Sequence, residues 1–345
     1  MSIPGYLLKE GPVKPYASEE EMWENLSAFF IGRAKFDTTY KFALLKSILD
    51  NLFNVEKDLT LSFDSIFAKF SELYWSLVAK YELNQKAANV RNARSKVEQI
   101  IDKYLIEYDI DRDTPFDSLS SSIQLKLVKE IGKECRHNVF GAFYGDTDGF
   151  IYGFSKKEEK IYLSKASYAF LCKHKTVIEK SNYFEWVKFL EKVNPMESSY
   201  QLAKKLDDST KRENLGFYRD YLLKEFHIKN CFYCSKTLAR KIEVDHFIPW
   251  SFVKDDKSWN LVLACKDCNS SKSDTLAHNK FIPIIQKRNC ELLDMSKKEI
   301  ITSSSKVKRE KDFIIKDFQN YDNEKINRVY NTAVSNGFKA GWLPR

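Results

Sequence analysis

Two Cys-x-x-Cys pairs, Cys231/Cys234 and Cys265/Cys268, enclose Val-Asp245-His246-Phe-Ile-Pro-Trp and a later Asn260-Leu-Val-Leu-Ala. Four thiolates in two close pairs suit one tetrahedral, structural Zn²⁺. The chain between the pairs runs about thirty residues, longer than the roughly 15–20 of a plain four-cysteine ribbon. The extra length carries Asp245, His246 and Asn260, and Asn269 and Lys272 follow the second pair directly. Breaking a phosphodiester takes an activated water and neutralisation of charge on the phosphate and the leaving oxygen. An imidazole can take the proton. Carboxylate and amide oxygens can hold a hard cation that serves as Lewis acid. A lysine ammonium can meet a phosphate, and a helix N-terminus would favour that phosphate further.

The combined pattern is Cys-x-x-Cys, then hydrophobic-Asp-His-hydrophobic-x-Pro, then Asn-Leu-Val-Leu-x-Cys-x-x-Cys-Asn-x-x-Lys. It resembles the HNH endonuclease family, a ββα-metal fold, over roughly Lys229 to Leu276. Asn269 stands where many members carry His, and both side chains can bind metal. The resemblance implies that Asp245 and Asn269 hold a catalytic Mg²⁺ or Mn²⁺ distinct from the zinc. It implies further that His246 is the base that activates water, and that Asn260 orients this histidine across the hairpin. Lys272, one helical turn after Asn269 and on the same face, would then meet the scissile or adjacent phosphate. Two alternatives stay open: Asn260 equally suits a turn cap, and Lys272 suits an ordinary solvated helix position. Glu243, Lys266, Asp274 and His278 lie nearby without a pattern that selects them.

Asp245 and His246 are neighbours on a predicted strand, so their side chains point to opposite faces if the strand is regular. For both to serve one phosphate the strand must end or distort there. Pro249 and the polar Ser-Phe-Val-Lys-Asp-Asp-Lys-Ser-Trp-Asn that follows fit such an end.

The rest of the chain must position this motif. Its 345 residues suit two domains, and 43% hydrophobic residues provide for a core. No apolar run reaches the length of a membrane span. The start lacks a basic segment followed by an apolar one, so no secretory signal is expected and the protein is placed in the cytoplasm. Cys135, Cys172 and Cys290 are scattered and read as small buried hydrophobes in a reducing compartment. The net charge of +8 favours polyanionic partners weakly, because 48 acidic residues are interspersed among 56 basic ones. The basic clusters are Arg91/Arg94/Lys96, Lys156/Lys157, Lys173/His174/Lys175, Lys204/Lys205, Lys211/Arg212 and Lys306/Lys308/Arg309. Most of them read as solvated faces.

Residues 1 to about 18 read as an extended arm, and Ser18 with Glu21 as a helix-starting capping box. Apolar stripes at helical spacing follow: Phe42, Leu45, Ile48, Leu49 and Leu52; then Ile66, Phe67, Phe70, Leu73, Tyr74 and Leu77; then Val90, Ala93, Val97, Ile100, Ile101, Tyr104 and Tyr108. Their 3.6-residue period reads as a helical-bundle core rather than as a platform for stacking bases. A further helix is expected near 121–133. The glycine-spaced VFGAFYGDTDGFIYGF with the following KIYLSK reads as a two- or three-stranded ribbon. With Lys156/Lys157 at a turn, it fits either a winged-helix-like DNA reader or a small sheet packed on the bundle. The polar 194–214 stretch is the expected boundary, with a possible helical piece at Gln201–Leu206. A helix carrying Phe217, Tyr218, Tyr221, Leu222 and Phe226 leads into Cys231. Ser296–Lys311 reads as a charged, mobile stretch, and Ile314–Val334 as one final amphipathic helix.

The expected fold class is α+β and mainly helical. Residues 1–200 would form a helical recognition or partner-binding domain with a small β-ribbon, and 210–345 a ββα-metal domain stapled by zinc. The expected function is a metal-dependent endonuclease acting on DNA. It would nick as a monomer, or act with a protein partner or as a homodimer through the N-terminal region. The resemblance implies service in restriction or anti-phage defence. A zinc-stapled nucleic-acid-binding module or scaffold without catalysis is the alternative. The joint presence of Asp245, His246, Asn260, Asn269 and Lys272 argues against it.

Overall fold

The chain divides into two units, Met1–Glu213 and Asn214–Arg345. The computed structural model describes residues 10–33, 36–87, 94–136, 138–209, 215–226, 230–238, 242–298 and 312–344. Both units are mainly helical, with one small antiparallel sheet apiece among the described residues.

In the first unit, helix α1 (Glu19–Ala28) starts at the expected capping box. Ser18 Oγ accepts from the Glu21 N–H at 3.1 Å, and the Glu21 carboxylate accepts from the Ser18 N–H at 2.8 Å. Helices α2 (Tyr40–Asp50) and α3 (Phe63–Trp75) turn their apolar stripes inward, and Phe42, Leu45, Ile48, Ile66, Phe70 and Tyr74 are all buried. Past Trp75 the chain loosens into a π-helical turn, Ser76–Lys80. Helix α4 (Lys96–Glu107) buries Val97, Ile101 and Tyr104, and α5 (Ser121–Cys135) buries Leu127 and Ile131. Val90, Ala93, Arg91, the Lys211/Arg212 pair and the Lys306/Lys308/Arg309 cluster lie outside the described residues, as do residues 1–9 of the expected arm and most of Ser296–Lys311.

The expected ribbon is only partly a ribbon. Val139–Asp146 is a helix, α6, with Val139, Phe140, Gly141 and Phe143 buried. Phe140 stacks on Phe63 at 4.0 Å between centroids. Tertiary packing of those aromatics overrides the strand propensity of the segment. The sheet itself has the order β1–β3–β2, with β1 (Thr60–Ser62) and β2 (Gly153–Ser155) flanking β3 (Lys160–Tyr162). Its third strand therefore comes from about ninety residues upstream of β2, a pairing no local pattern announces. Leu61, Phe154 and Ile161 are all buried in the helical core, so the sheet packs the bundle. At Gly153 a Cβ would meet the Val13 backbone nitrogen at 2.3 Å, so only glycine lets the N-terminal segment cross there.

Helix α7 (Lys165–Val193) spans 29 residues. Lys175, expected on a solvated face, is 1% exposed and sits 3.4 Å from Glu179; Lys46 lies 3.1 Å from the same carboxylate and also pairs with Asp50. The short helices α8 (Met196–Ser199) and α9 (Leu202–Asp208) follow, with Leu202 and Leu206 buried. The polar segment packs on the first unit through residue 209, with a helix over the expected Gln201–Leu206 piece, and the two units divide at its end.

In the second unit, α10 (Gly216–Phe226) buries Tyr218, Tyr221 and Leu222. A two-stranded hairpin pairs β4 (Ile242–His246) with β5 (Leu261–Cys265), registering Asp245 against Val262 and His246 against Leu261. Between the strands lie α11 (Trp250–Val253) and a polar loop. Helix α12 (Lys266–Lys272) follows β5 at once and lies against both strands, completing the ββα unit. Helix α13 (Ile282–Lys298) comes next. The single C-terminal helix expected over Ile314–Val334 is two pieces, a helical segment at 312–317 and α14 (Lys325–Ser335). Asn320 takes a left-handed φ of 63°, and Asp322 accepts from the Glu324 N–H at 2.9 Å, which ends one helix and starts the other. The tail returns to the motif: Trp342 exchanges backbone hydrogen bonds with Leu276 and His278, and its ring lies 5.1 Å from that of Tyr233.

Candidate active site and metal centre

The cysteines come together. The Sγ atoms of Cys231, Cys234, Cys265 and Cys268 all lie within 4.8 Å of one another, with Cys231 and Cys268 buried. The first pair sits on a tight turn, where Ser235 adopts a φ of 59° and its N–H donates to Cys231 O at 3.0 Å. The second pair opens α12, with Cys265 as its N-cap residue. Cys234 Sγ and Cys265 Sγ are 3.8 Å apart. A disulfide needs about 2.05 Å, whereas a zinc tetrahedron with bonds of about 2.3 Å has an edge of about 3.8 Å. Burial, reinforced by the neighbouring sulfurs, pushes the Cys268 thiol far above its ordinary range; a divalent cation is what lets such thiols ionise. The donor set fits Zn²⁺ in chemistry and spacing.

The face of β4 turned toward α12 carries Glu243 and Asp245, two residues apart. The face of α12 turned toward β4 carries Asn269 and Lys272, three apart. The strand and helix periods therefore bring them together pairwise. Asn269 Nδ2 donates to Glu243 Oε2 at 2.7 Å. Lys272 Nζ lies 3.0 Å from Asp245 Oδ2 and donates to the His246 carbonyl at 2.7 Å. Lys272 is fully buried and Asp245 is 6% exposed. Lys272, expected on a phosphate, is thus enclosed and neutralises Asp245. The Tyr233 hydroxyl donates to the same oxygen, Asp245 Oδ2. Burial and the Asp245 charge hold that phenol well above its usual range, so it remains a donor. Asp245, Glu243 and Asn269 carry hard oxygen donors of the kind that suits Mg²⁺ or Mn²⁺, with the Asp245 carboxylate engaged by Lys272 and Tyr233 and the Asn269 amide by Glu243.

The strand ends at His246, and its ring lies on the opposite face. Its Nε2 is 2.6 Å from Asp256 Oδ1, in the loop between α11 and β5. Asn260 is fully buried. It does not reach the ring: its Nδ2 donates to the Ile248 carbonyl and its Oδ1 accepts from the Ile248 N–H, both at 2.9 Å. With Phe247 N–H donating to the Asn260 carbonyl at 2.8 Å, this pins the backbone just beyond His246.

Sequence reasoning missed Asp256, Tyr233 and the partnership of Glu243. Tyr233 sits inside the first Cys-x-x-Cys, and an amphipathic residue between two clustered cysteines was the available signal. Asp256 lies in a run of polar loop residues, and nothing local distinguishes it from Asp255.

Among the described residues no helix is long and apolar enough to cross a membrane. No curated protein and no solved structure matches the chain. Residues 231–278 match the family model described as HNH endonuclease. That stretch holds the four-cysteine cluster, the Asp245–His246 strand end, Asn260 and α12, and by it the second unit carries an HNH endonuclease domain, which implies binding of nucleic acid.

Proposed function

We propose that the protein is a metal-dependent endonuclease that hydrolyses DNA phosphodiester bonds, serving in restriction or anti-phage defence. The observation that carries this reading is the β4–α12 juxtaposition beside the cysteine cluster, within the span that matches the family. An acid and an amide face each other between β4 and α12, and the imidazole follows at the strand end, on the other face. His246 serves as general base toward water. Asp245 and Asn269 are the residues that would hold a Mg²⁺ or Mn²⁺ ion, with Glu243 adjacent. When bound, the metal supplies Lewis-acid neutralisation of the scissile phosphate. Asn260 positions the histidine through the backbone. Lys272 balances the buried Asp245 charge and anchors the His246 carbonyl. The four cysteines staple the unit with zinc.

The first unit selects the target or a partner in this reading, because a cutting module that grips phosphates has affinity without sequence information. A homodimer or a protein partner would convert nicks into double-strand breaks.

The test is incubation of the purified chain with supercoiled plasmid, linear DNA and RNA in Mg²⁺, Mn²⁺ or EDTA, beside His246→Ala. Cleavage of DNA with either metal, lost in EDTA and in the variant, is expected. Binding without cleavage under every condition would transfer the reading to a zinc-stapled binding module.

A further inference from the structure

We infer that Asp256 is the positioning residue of the His246 base, holding the ring so that Nδ1, not Nε2, meets the attacking water. The inference rests on the reading of His246 as base. An ionised carboxylate only accepts hydrogen bonds, so at 2.6 Å from Asp256 Oδ1 the His246 Nε2 must carry the hydrogen and donate it. In a neutral imidazole this leaves the lone pair on Nδ1. The two side chains are 13% and 17% exposed, sheltered enough for a charge-assisted bond to restrain the ring.

Asp256 is itself held. The Tyr218 hydroxyl, from α10, donates to its carbonyl at 2.6 Å, and its own N–H donates to Asp255 Oδ1 at 2.9 Å. Two residues on, Ser258 places its N–H and hydroxyl on Asp317 Oδ2 at 2.9 and 2.7 Å. The loop is therefore tied on both sides of the carboxylate. Asn260 fixes the main chain beyond His246 and Asp256 fixes its ring, which are independent restraints on one base.

In the reaction, the water oxygen forms a bond to phosphorus as one water proton passes to Nδ1. The bond from phosphorus to the leaving oxygen breaks, and that oxygen takes a proton from solvent. The Nε2 hydrogen stays in place. The resulting imidazolium faces the Asp256 carboxylate, which stabilises the charge, and the Nδ1 proton is later lost to solvent.

The test compares the full-length parent with Asp256→Ala, Asp256→Asn and His246→Ala on plasmid, with zinc content measured for each. Asp256→Ala is expected to lower kcat by about 10–10²-fold with KM and zinc content unchanged. Added formate should restore part of that rate, and none in His246→Ala. Asp256→Asn, which keeps an acceptor oxygen, should fall between parent and Asp256→Ala. A purely structural role would lower zinc content or raise KM and would not respond to formate. An Asp256→Ala enzyme as fast as the parent, or a slow one without formate rescue, overturns the inference. A second readout does not depend on cutting. In ¹H–¹⁵N spectra the parent should show a protected ring Nε2–H signal, assigned by its loss in His246→Gln and absent in Asp256→Ala. If the parent cuts no nucleic acid, the endonuclease reading fails, while survival of that signal in Asp256→Ala still refutes the role of Asp256.

Discussion

The Tyr233 hydroxyl donates to the Asp245 carboxylate. Tyr233 lies between Cys231 and Cys234, so the turn that presents two cysteines of the cluster also presents a hydrogen bond to the acid of the proposed site. The cysteine cluster and the acid are therefore joined through a buried phenol.

From this follows the expected effect of metal loss. Cys231→Ser or Cys268→Ser should lower zinc content and melt the second unit, because metal binding supplies folding free energy to a small hairpin-and-helix unit. Tyr233→Phe should be milder, costing about 1.5–3 kcal/mol for the lost bond to a carboxylate while zinc stays bound. Elemental analysis with thermal melts of the three variants checks this; folded, zinc-free Cys231→Ser protein would refute it.

His246→Ala should abolish most cleavage. Removal of a general base typically costs about 10²–10⁴ in rate. Zinc content and nucleic-acid binding should remain near the parent's, since the ring is on the face away from Asp245 and makes its hydrogen bond to Asp256. Single-turnover rates with a binding isotherm decide it, and a variant as fast as the parent would remove His246 from the mechanism.

Lys272→Met should destabilise the second unit strongly. The lysine is fully buried against Asp245, and breaking a buried ion pair from one side leaves an uncompensated charge at a cost of about 3–5 kcal/mol. Denaturant unfolding measures it. A loss under about 1 kcal/mol, the range of an exposed pair, would show that Asp245 is otherwise compensated.

Lys325 should make stability depend on pH in the alkaline range. Burial, with Lys257 adding like charge, lowers it to about 8, while Asp255 and Asp322 act in the opposite sense. The unfolded side chain titrates near 10.4. Between these values the unfolded chain binds a proton that the folded chain has released, so stability rises with pH from about 8 to about 10. Below that window both forms are charged and the burial penalty is complete. Lys325→Met should therefore stabilise the protein at neutral pH, by up to about 3 kcal/mol, less the lost interaction with the Trp259 ring 5.0 Å away. It should also flatten the alkaline rise. Urea midpoints from pH 7 to 10 for both proteins test the sign.

Residues 214–345 alone are expected to fold with zinc and to nick slowly with little site preference, whereas the full chain binds more tightly and loses affinity as salt rises. Mapping cleavage sites of both on one DNA makes the comparison. Identical patterns and affinities would assign the first unit a different task.

The chemistry of the motif was legible in the chain because it is local. Cys-x-x-Cys turns, an Asp-His strand end and an Asn-x-x-Lys helix face are set by spacing over a few residues, and apolar stripes at a helical period mark the bundle for the same reason. Tertiary structure decided what depends on partners distant in sequence. Strand β1 joins a sheet that looked like a self-contained ribbon, and Val139–Asp146 became a helix because Phe63 and its neighbours receive Phe140. Asn320 and Asp322 broke a stripe that periodicity alone would continue. In the site, spacing placed Lys272 beside Asn269. Only packing could show that its ammonium turns inward to Asp245, since a lysine on a helix face is solvated or buried according to what covers it. The carboxylate facing His246 comes from a loop whose position is set by Tyr218 and Asp317, residues far apart in the chain, so only folding could bring Asp256 to the ring.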